Sequence, residues 1–372
     1  MKKNQWILGV VVLAAMVALV MWGRTRIHFD FANFRSQLAL AQWSRIGIAA
    51  ACIYLGYAFR SVRWALLLRH NKKVPVFSLL GTQVMGFTGV ALIGRVADLI
   101  RPYLVSQKTG LELSSQIAVY IVERLFDAGS MALIASVAIM QLPDSDVVAA
   151  INYSKHLAAL SQSHPDAAQF LFRFGGLLLT FAGALFLVFI RLSGGVIASV
   201  FEHTFGLVSR KLGHAVGHKI RTFRTGLDTI RSFSDFATTA SLSIAMWALI
   251  AAAYFETMRA FVASPQLAVI SPAKCVLLMV VSGGASIIQL PVLGWFSQIG
   301  IVAAAISGFF AVAPEAALAC AATLLLVTFL SIVPVGLIWS QIEHVSLRHV
   351  AEESEHASEE IASDPAPGSG LD

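Results

Sequence analysis

Apolar runs long enough to cross a bilayer recur along this chain, at Trp6–Trp22, Ile46–Leu68, Val76–Gly94, Leu113–Met140, Phe170–Ile190, Phe236–Met258, Pro272–Leu290, Trp295–Val312 and Ala316–Trp339. A spanning helix needs about 20 apolar residues, whereas the strands of a membrane barrel are about half as long and alternate in polarity. In lipid, every backbone polar group must be satisfied within the protein, so unalternated runs of this length fold as helices. The chain is therefore predicted to be an all-α, polytopic membrane bundle of about seven to nine spans. With 57% hydrophobic and 13% charged residues, an ordinary soluble domain is excluded.

Charge placement predicts the topology. Met1-Lys2-Lys3 precedes the first run, and Arg24 and Arg26 follow it without a small-x-small cleavage site, which reads as a retained span with a cytoplasmic N-terminus. The cluster from Arg69 to Lys73 and the basic stretch 191–235 belong in the cytoplasm, and the Lys- and Arg-poor loop containing PDSD and SHPD belongs outside. The basic balance thus reports topology and does not call for nucleic acid. The stretch 191–235 reads either as a solvated linker helix or, through Val196, Val200, Phe201, Phe205 and Leu207, as a helix lying on anionic lipid. Residues 1–340 form the membrane domain, and the acidic Ser-, Pro- and Gly-rich segment 341–372 is expected to be a disordered cytoplasmic tail.

Two segments, Val76 to Arg101 and Lys274 to Gly300, carry glycine at membrane depth and are expected to be broken or re-entrant. They follow loops on opposite sides, so they would enter from opposite faces, as inverted repeats do around a central site. Gly94, Gly283, Gly284, Pro291 and Gly294 are the candidate gate positions. Glycines that simply permit close helix packing account equally well for several of them.

Inside this apolar chain, Arg95, Asp98 and Arg101 recur at spacings of three, and Glu123, Arg124 and Asp127 follow within the run Leu113–Met140. Ionisable groups at membrane depth are costly, so they pair, face a cavity or engage a polar substrate. Two arginines around one aspartate leave donor capacity suited to phosphate. The acidic surplus of the second cluster is placed to hold arginines of the first. An interhelical ion network formed for register alone is the bland account. Arg60 and Arg63 read more readily as snorkelling side chains than as substrate contacts. Ser282, Ser286, Gln289 and Gln298 would line the far side of a cavity or satisfy a broken helix.

No nucleophile elbow, HExxH, Walker A sequence or nucleotide fingerprint is present. Cys52, Cys275 and Cys320 stand apart in apolar runs, so neither a disulfide framework nor a metal site is indicated. No cofactor is expected.

The stretch GRVADLIRPYLVSQKTG, followed by ERLFD, resembles the flippase-like membrane domain shared by lysylphosphatidylglycerol synthases and UPF0104 proteins. Gly94, Asp98, Arg101, Leu104, Glu123, Arg124 and Asp127 match that family's pattern, and the Arg63-Trp64 pair fits it. Late in the chain PVLGWFSQIG keeps Pro291 and Gly294 but offers Gln298 where the family commonly has Glu, and a glutamine keeps a hydrogen bond but neither holds a cation nor carries a proton as a carboxylate does. The soluble aminoacyl-transferring domain of the synthases has no counterpart in the acidic tail, and lysyl transfer is not expected. The resemblance implies a bacterial inner-membrane lipid flippase or lipid-transport protein, not an enzyme. Its partner would be a membrane lipid of phospholipid or polyprenyl-phosphate type, with Arg63, Arg95, Arg101, Arg124, Asp98, Glu123, Asp127 and Gln298 as binding residues. In this scheme Arg95, Arg101 and Arg124 contact the phosphate. The alternative is an accessory subunit or membrane-embedded enzyme of envelope-lipid synthesis, working beside the biosynthetic enzymes, with Asp98 or Glu123 as acid or base.

Overall fold

Two long antiparallel helices set the frame in the computed structural model, which describes residues 29–153, 155–178, 180–183, 185, 232–285 and 293–363. A short helix, α1 (Phe31–Ala39), bends by 72° into α2 (Trp43–Leu68). Across the bundle from α2 runs a 27-residue helix whose start is fixed by a capping box between Ser232 and Asp235. The chain between them forms α3 (Val76–Ile93), a 3-10 turn (Arg95–Leu99), α4 (Ile100–Thr109), α5 (Leu113–Met140), α6 (Asp144–Tyr153), α7 (Lys155–Ser163) and a helical stretch over 165–178, α8. The 27-residue helix is α9 (Phe233–Arg259), followed by a single turn, α10 (Pro265–Ala268), and by α11 (Pro272–Ala285) and α12 (Leu293–Phe310). After these come α13 (Pro314–Leu325), a π-turn (Leu326–Leu330), α14 (Ile332–Ile342) and α15 (Leu347–Ser363). No strand occurs among the described residues. Three stretches, Val76–Ile93, Phe233–Arg259 and Pro314–Ile342, are long and apolar enough to cross a membrane, and the bent α1–α2 pair passes as a fourth. The expected first span and most of the basic stretch 191–235 lie outside the described residues.

Helices α2 and α9 pack along their whole length. Arg45 donates to Glu256 at one end, Arg63 to Ser243 further along, and Arg69 and His70 meet Asp235 at the other end. Between these contacts Gly56 faces Met246.

The glycine-rich segment expected to be broken or re-entrant is one continuous helix as far as Ile93, and breaks at Gly94, where φ is +94°. That left-handed backbone suits glycine and lets the chain reverse. The tail of α4 then returns to the start of α3: the Lys72 ammonium donates to the Thr109 carbonyl at 2.6 Å, and the Lys108 ammonium to the Ser78 carbonyl at 3.2 Å. Segment 76–109 is thus a hairpin rooted at the Asp235 end of α9. The other glycines of α3 serve close packing instead. A Cβ at Gly81 would overlap the Trp339 indole, and one at Gly86 would overlap Arg101.

A second hairpin is built from α11 and α12. Lys274, near the start of α11, stands 6.0 Å from the ring centre of Phe310 at the end of α12, so its root is closed as well. This root lies near the other end of α9, where Arg259 donates to the Ala268 carbonyl. The two hairpins therefore enter from opposite ends of the bundle. Near their tips, the Trp295 indole N–H donates to the Ala91 carbonyl at 3.2 Å.

The C-terminal segment departs from the expected disorder. Leu347, Val350, Ala351 and Ser354 recur at helical spacing and are buried, and the first three pack with Ala97, Ile100 and Leu104 of the first hairpin. Tyr103 donates to Glu353 across this contact. Composition averages over 341–372 conceal this one apolar stripe, which is enough to hold α15. Residues 364–372 lie outside the described part.

Candidate functional site

On α5, Glu123 and Asp127 stand one turn apart, and on α2 Arg60 and Arg63 do the same. The Arg63 guanidinium bridges both carboxylates, with Nη2 donating to Glu123 Oε1 at 2.7 Å and Nη1 to Asp127 Oδ1 at 2.6 Å. Nη1 also reaches Ser243 Oγ on α9 at 2.7 Å. This fork fixes two carboxylates at once, which an ammonium cannot do with the same geometry. Arg101, in the first turn of α4, donates through Nη1 to Glu123 Oε1 and to Gln83 Oε1, both at 3.1 Å. Its guanidinium carbon lies 4.6 Å from the Phe87 ring centre and 5.0 Å from that of Tyr120, so cation–π attraction replaces part of its lost hydration. Arg124 Nη2 reaches Glu123 Oε1 at 3.2 Å and Asp127 Oδ2 at 3.0 Å. Arg60 Nη1 lies 3.4 Å from both acids. Four guanidinium groups thus share two carboxylates, and positive charge is left over.

Exposure separates their roles. Arg63 and Arg101 are 1% and 0% exposed, whereas the Arg124 side chain keeps 38% of its surface open. Arg124 and Arg60, with Asp98 and Tyr120, form one pole of a cavity of about 260 Å³. The other pole is uncharged and includes Ser282, Gln298, Thr328 and Tyr254. Gln298 Nε2 donates to Ser282 Oγ at 3.2 Å. Tyr57, Phe87 and Trp247 also line the cavity, Phe87 beside Arg60. Both hairpins contribute, the first through Asp98 and the second through Ser282, Gly283 and Gln298.

The structure unites Arg63, Arg101, Glu123, Arg124 and Asp127 in one network and puts Asp98 and Gln298 on the cavity wall. Gly94 makes the hairpin break and Gly283 lines the cavity; Gly284 is exposed and Gly294 is buried at the start of α12. Pro291, Ser286 and Gln289 lie outside the described residues, as does the side chain of Arg95. Two expectations change. Arg60 and Arg63 do not snorkel, because they point into the bundle at the α5 carboxylates instead of along α2 toward its end. Arg101 is not on the cavity wall: Gly86 opens a slot that takes its aliphatic stem, and the head is enclosed by Glu123, Gln83 and aromatic rings. Sequence reasoning missed Tyr57, Trp247, Tyr254 and Thr328. Ser243, Trp247 and Tyr254 fall at spacings of four and seven on α9, a one-sided polar and aromatic stripe that could have revealed them. Thr328 had no such signal, because the π-turn sets its direction, and a single-turn bulge of this kind commonly marks functional sites.

Residues 6–337 match the family described as the lysylphosphatidylglycerol synthase TM region. This chain belongs to that family. Membership in the lysylphosphatidylglycerol synthase TM family makes it a membrane protein of lipid metabolism or transport, related to the membrane part of those synthases and not to their catalytic domain. The matched region contains the whole arginine–carboxylate network and both hairpins, and stops before α15. No curated protein matches the chain.

Proposed function

We propose that this protein is a lipid flippase or lipid-transport protein of a bacterial inner membrane, which takes a phosphate-bearing headgroup into the cavity between its two hairpins. The observation that carries this reading is the cationic pole: Arg124 and Arg60 stand on the cavity wall while Glu123 and Asp127 hold them in place. Guanidinium groups present several donors in a fixed plane, and a phosphate accepts them in pairs. Because the two carboxylates are shared among four arginines, an entering phosphate completes a charge balance that the empty site lacks. Asp98 keeps that pole from being so cationic that release becomes slow. The alternating gate is the pair of hairpins, which both line the cavity and enter from opposite ends. The end carrying Arg69, Lys72, Lys73 and Lys108 faces the cytoplasm, as the distribution of basic residues favours.

The test is lipid flipping in sealed proteoliposomes, read by dithionite quenching of labelled phosphatidylglycerol, phosphatidylethanolamine and polyprenyl phosphate. Arg124→Ala removes the most exposed cation and should slow flipping by about tenfold or more, the ratio that one charge-assisted hydrogen bond confers. Its melting temperature should stay close to that of the wild type. Flipping by Arg124→Ala at the wild-type rate would sink the proposal.

A further inference from the structure

Three of the four arginines are held by aromatic rings as well as by carboxylates. The Arg60 guanidinium carbon lies 4.8 Å from the centre of the Phe87 ring, and that of Arg101 lies 4.6 Å from the same centre. Arg101 in turn stands 5.0 Å from the centre of the Tyr120 ring, which Arg124 approaches to 5.2 Å. Cations and rings therefore alternate in the order Arg60, Phe87, Arg101, Tyr120, Arg124. Asp127 Oδ2 closes the circuit, with Arg60 at 3.4 Å and Arg124 at 3.0 Å. Arg101, in the middle, is fully buried, whereas both rings and the two terminal arginines line the cavity.

This circuit joins the first hairpin to the rest of the bundle. Phe87 and Arg101 belong to the hairpin, on α3 and α4, while Arg60 is on α2 and Tyr120 and Arg124 stand one turn apart on α5. Phe87 thus brings the hairpin against Arg60, and Arg101 brings it against Tyr120. Tyr57 of α2 braces Phe87, with ring centres 5.2 Å apart. A ring attracts a guanidinium through its π-face and does not consume the N–H donors, so it fixes the cation's place and leaves those donors for an anion. A carboxylate in the same position would take the donors and neutralise the charge.

We infer that Phe87 and Tyr120 are positioning residues through which the seated first hairpin sets Arg60 and Arg124 for a phosphate, so that phosphate occupancy and seating of the hairpin favour each other. This step rests on the phosphate-handling reading above and adds the means by which the site and its gate communicate. Linkage makes the two effects equal: the factor by which seating strengthens phosphate binding is the factor by which bound phosphate stabilises the seated hairpin. Arg101 takes part without reaching the cavity, because it acts through the two rings that enclose it.

The experiment titrates inorganic phosphate by calorimetry into the purified wild type, Tyr120→Phe, Tyr120→Leu and Phe87→Leu, and follows amide hydrogen exchange over residues 85–104 with and without phosphate. Flipping of labelled phosphatidylglycerol in sealed proteoliposomes of the same proteins separates a lipid phosphate from the free ion. Tyr120→Phe keeps the ring and should bind phosphate as the wild type does, whereas each leucine variant should bind about fivefold more weakly, the ratio that one cation–π contact confers. Phosphate should slow exchange over 85–104 in the two proteins that keep both rings, and should not do so in the leucine variants at the same fractional saturation. A ring that only filled space would change the baseline exchange and leave this response to phosphate intact. Unchanged phosphate affinity in both leucine variants, or equal protection by phosphate with and without the rings, would overturn the inference. If the leucine variants do not fold, the wild type still decides: protection of 85–104 by phosphate, shared by Tyr120→Phe, supports the coupling, and its absence removes it. Lipid flipping without this linkage would discard the positioning role and leave lipid transport standing, and linkage without flipping would do the reverse.

Discussion

Replacing Glu123 by Gln tests whether the arginine network is a single electrostatic unit. Glu123 accepts from Arg63, Arg101, Arg124 and Arg60, and both of its oxygens face the Nη1 of Arg101, at 3.1 and 3.3 Å. A glutamine keeps one acceptor but turns the other into an N–H₂ that confronts a donor. It also leaves Asp127 as the sole carboxylate bound directly to the arginines described in the network. Breaking one partner out of a buried ion pair costs about 3–5 kcal/mol, because a charge is left without compensation. For a domain of this size, each kcal/mol moves the melting temperature by roughly 1–2 °C, so a fall on the order of 5 °C is expected. The assay is thermal unfolding of the purified protein in detergent, followed by tryptophan fluorescence. A second substitution makes the test specific: Arg101→Gln in the same chain removes the cation that Glu123 neutralised, and should restore about 1–3 kcal/mol relative to the sum of the two single changes. A Glu123→Gln protein that melts within about 2 °C of the wild type, or a double variant whose loss is simply additive, would refute the idea that these groups act as one network.

Two further outcomes follow from the packing. Gly86→Ala places a methyl group against the Arg101 stem, with Cδ at 3.0 Å and Cγ closer still. It should cost about 1–3 kcal/mol, read as a lower melting temperature, whereas alanine at Gly129, which meets nothing within 4 Å, should be neutral. Deleting 347–372 uncovers Ala97, Ile100 and Leu104, and should expose the first hairpin to limited proteolysis near Gly94 while the fold of the α2–α9 pair persists; an unchanged cleavage pattern would show that α15 does not hold the hairpin.

Much of this was legible in the sequence because hydrocarbon is a demanding solvent. The run Leu113–Met140 becomes a helix over the same residues, and its three charges stand out against an apolar background as the centre of the site. Gly94 stood among the five gate candidates, and a positive φ at the hairpin break has few alternatives to glycine. Less legible was which way a side chain points. Arg60 and Arg63 lie within the last three turns of α2, where spacing alone is as compatible with snorkelling as with an inward pair, and only the position of α5 decides. Arg101 looked like an open phosphate contact because sequence cannot show that Gly86 receives its stem. The helix α15 was hidden by the acidic average of the segment around it.

The ion network also dictates an order of events while the protein is being made. Arg60 and Arg63 belong to a helix that leaves the ribosome well before its counter-charges do: Glu123 lies 60 residues after Arg63, and Asp127 lies 67 residues after Arg60. An arginine in an inserting helix opposes partition from the translocon, by up to about 3 kcal/mol at the helix centre and by less toward its end, where Arg60 and Arg63 stand. Until α5 arrives, α2 therefore has reason to linger at the channel or the lipid interface, and Arg101 enters the bundle in the interval as a third uncompensated cation. Glu123 and Asp127 release all of them together, so the residues that hold the site in the mature protein are also the ones that let α2 settle in the membrane.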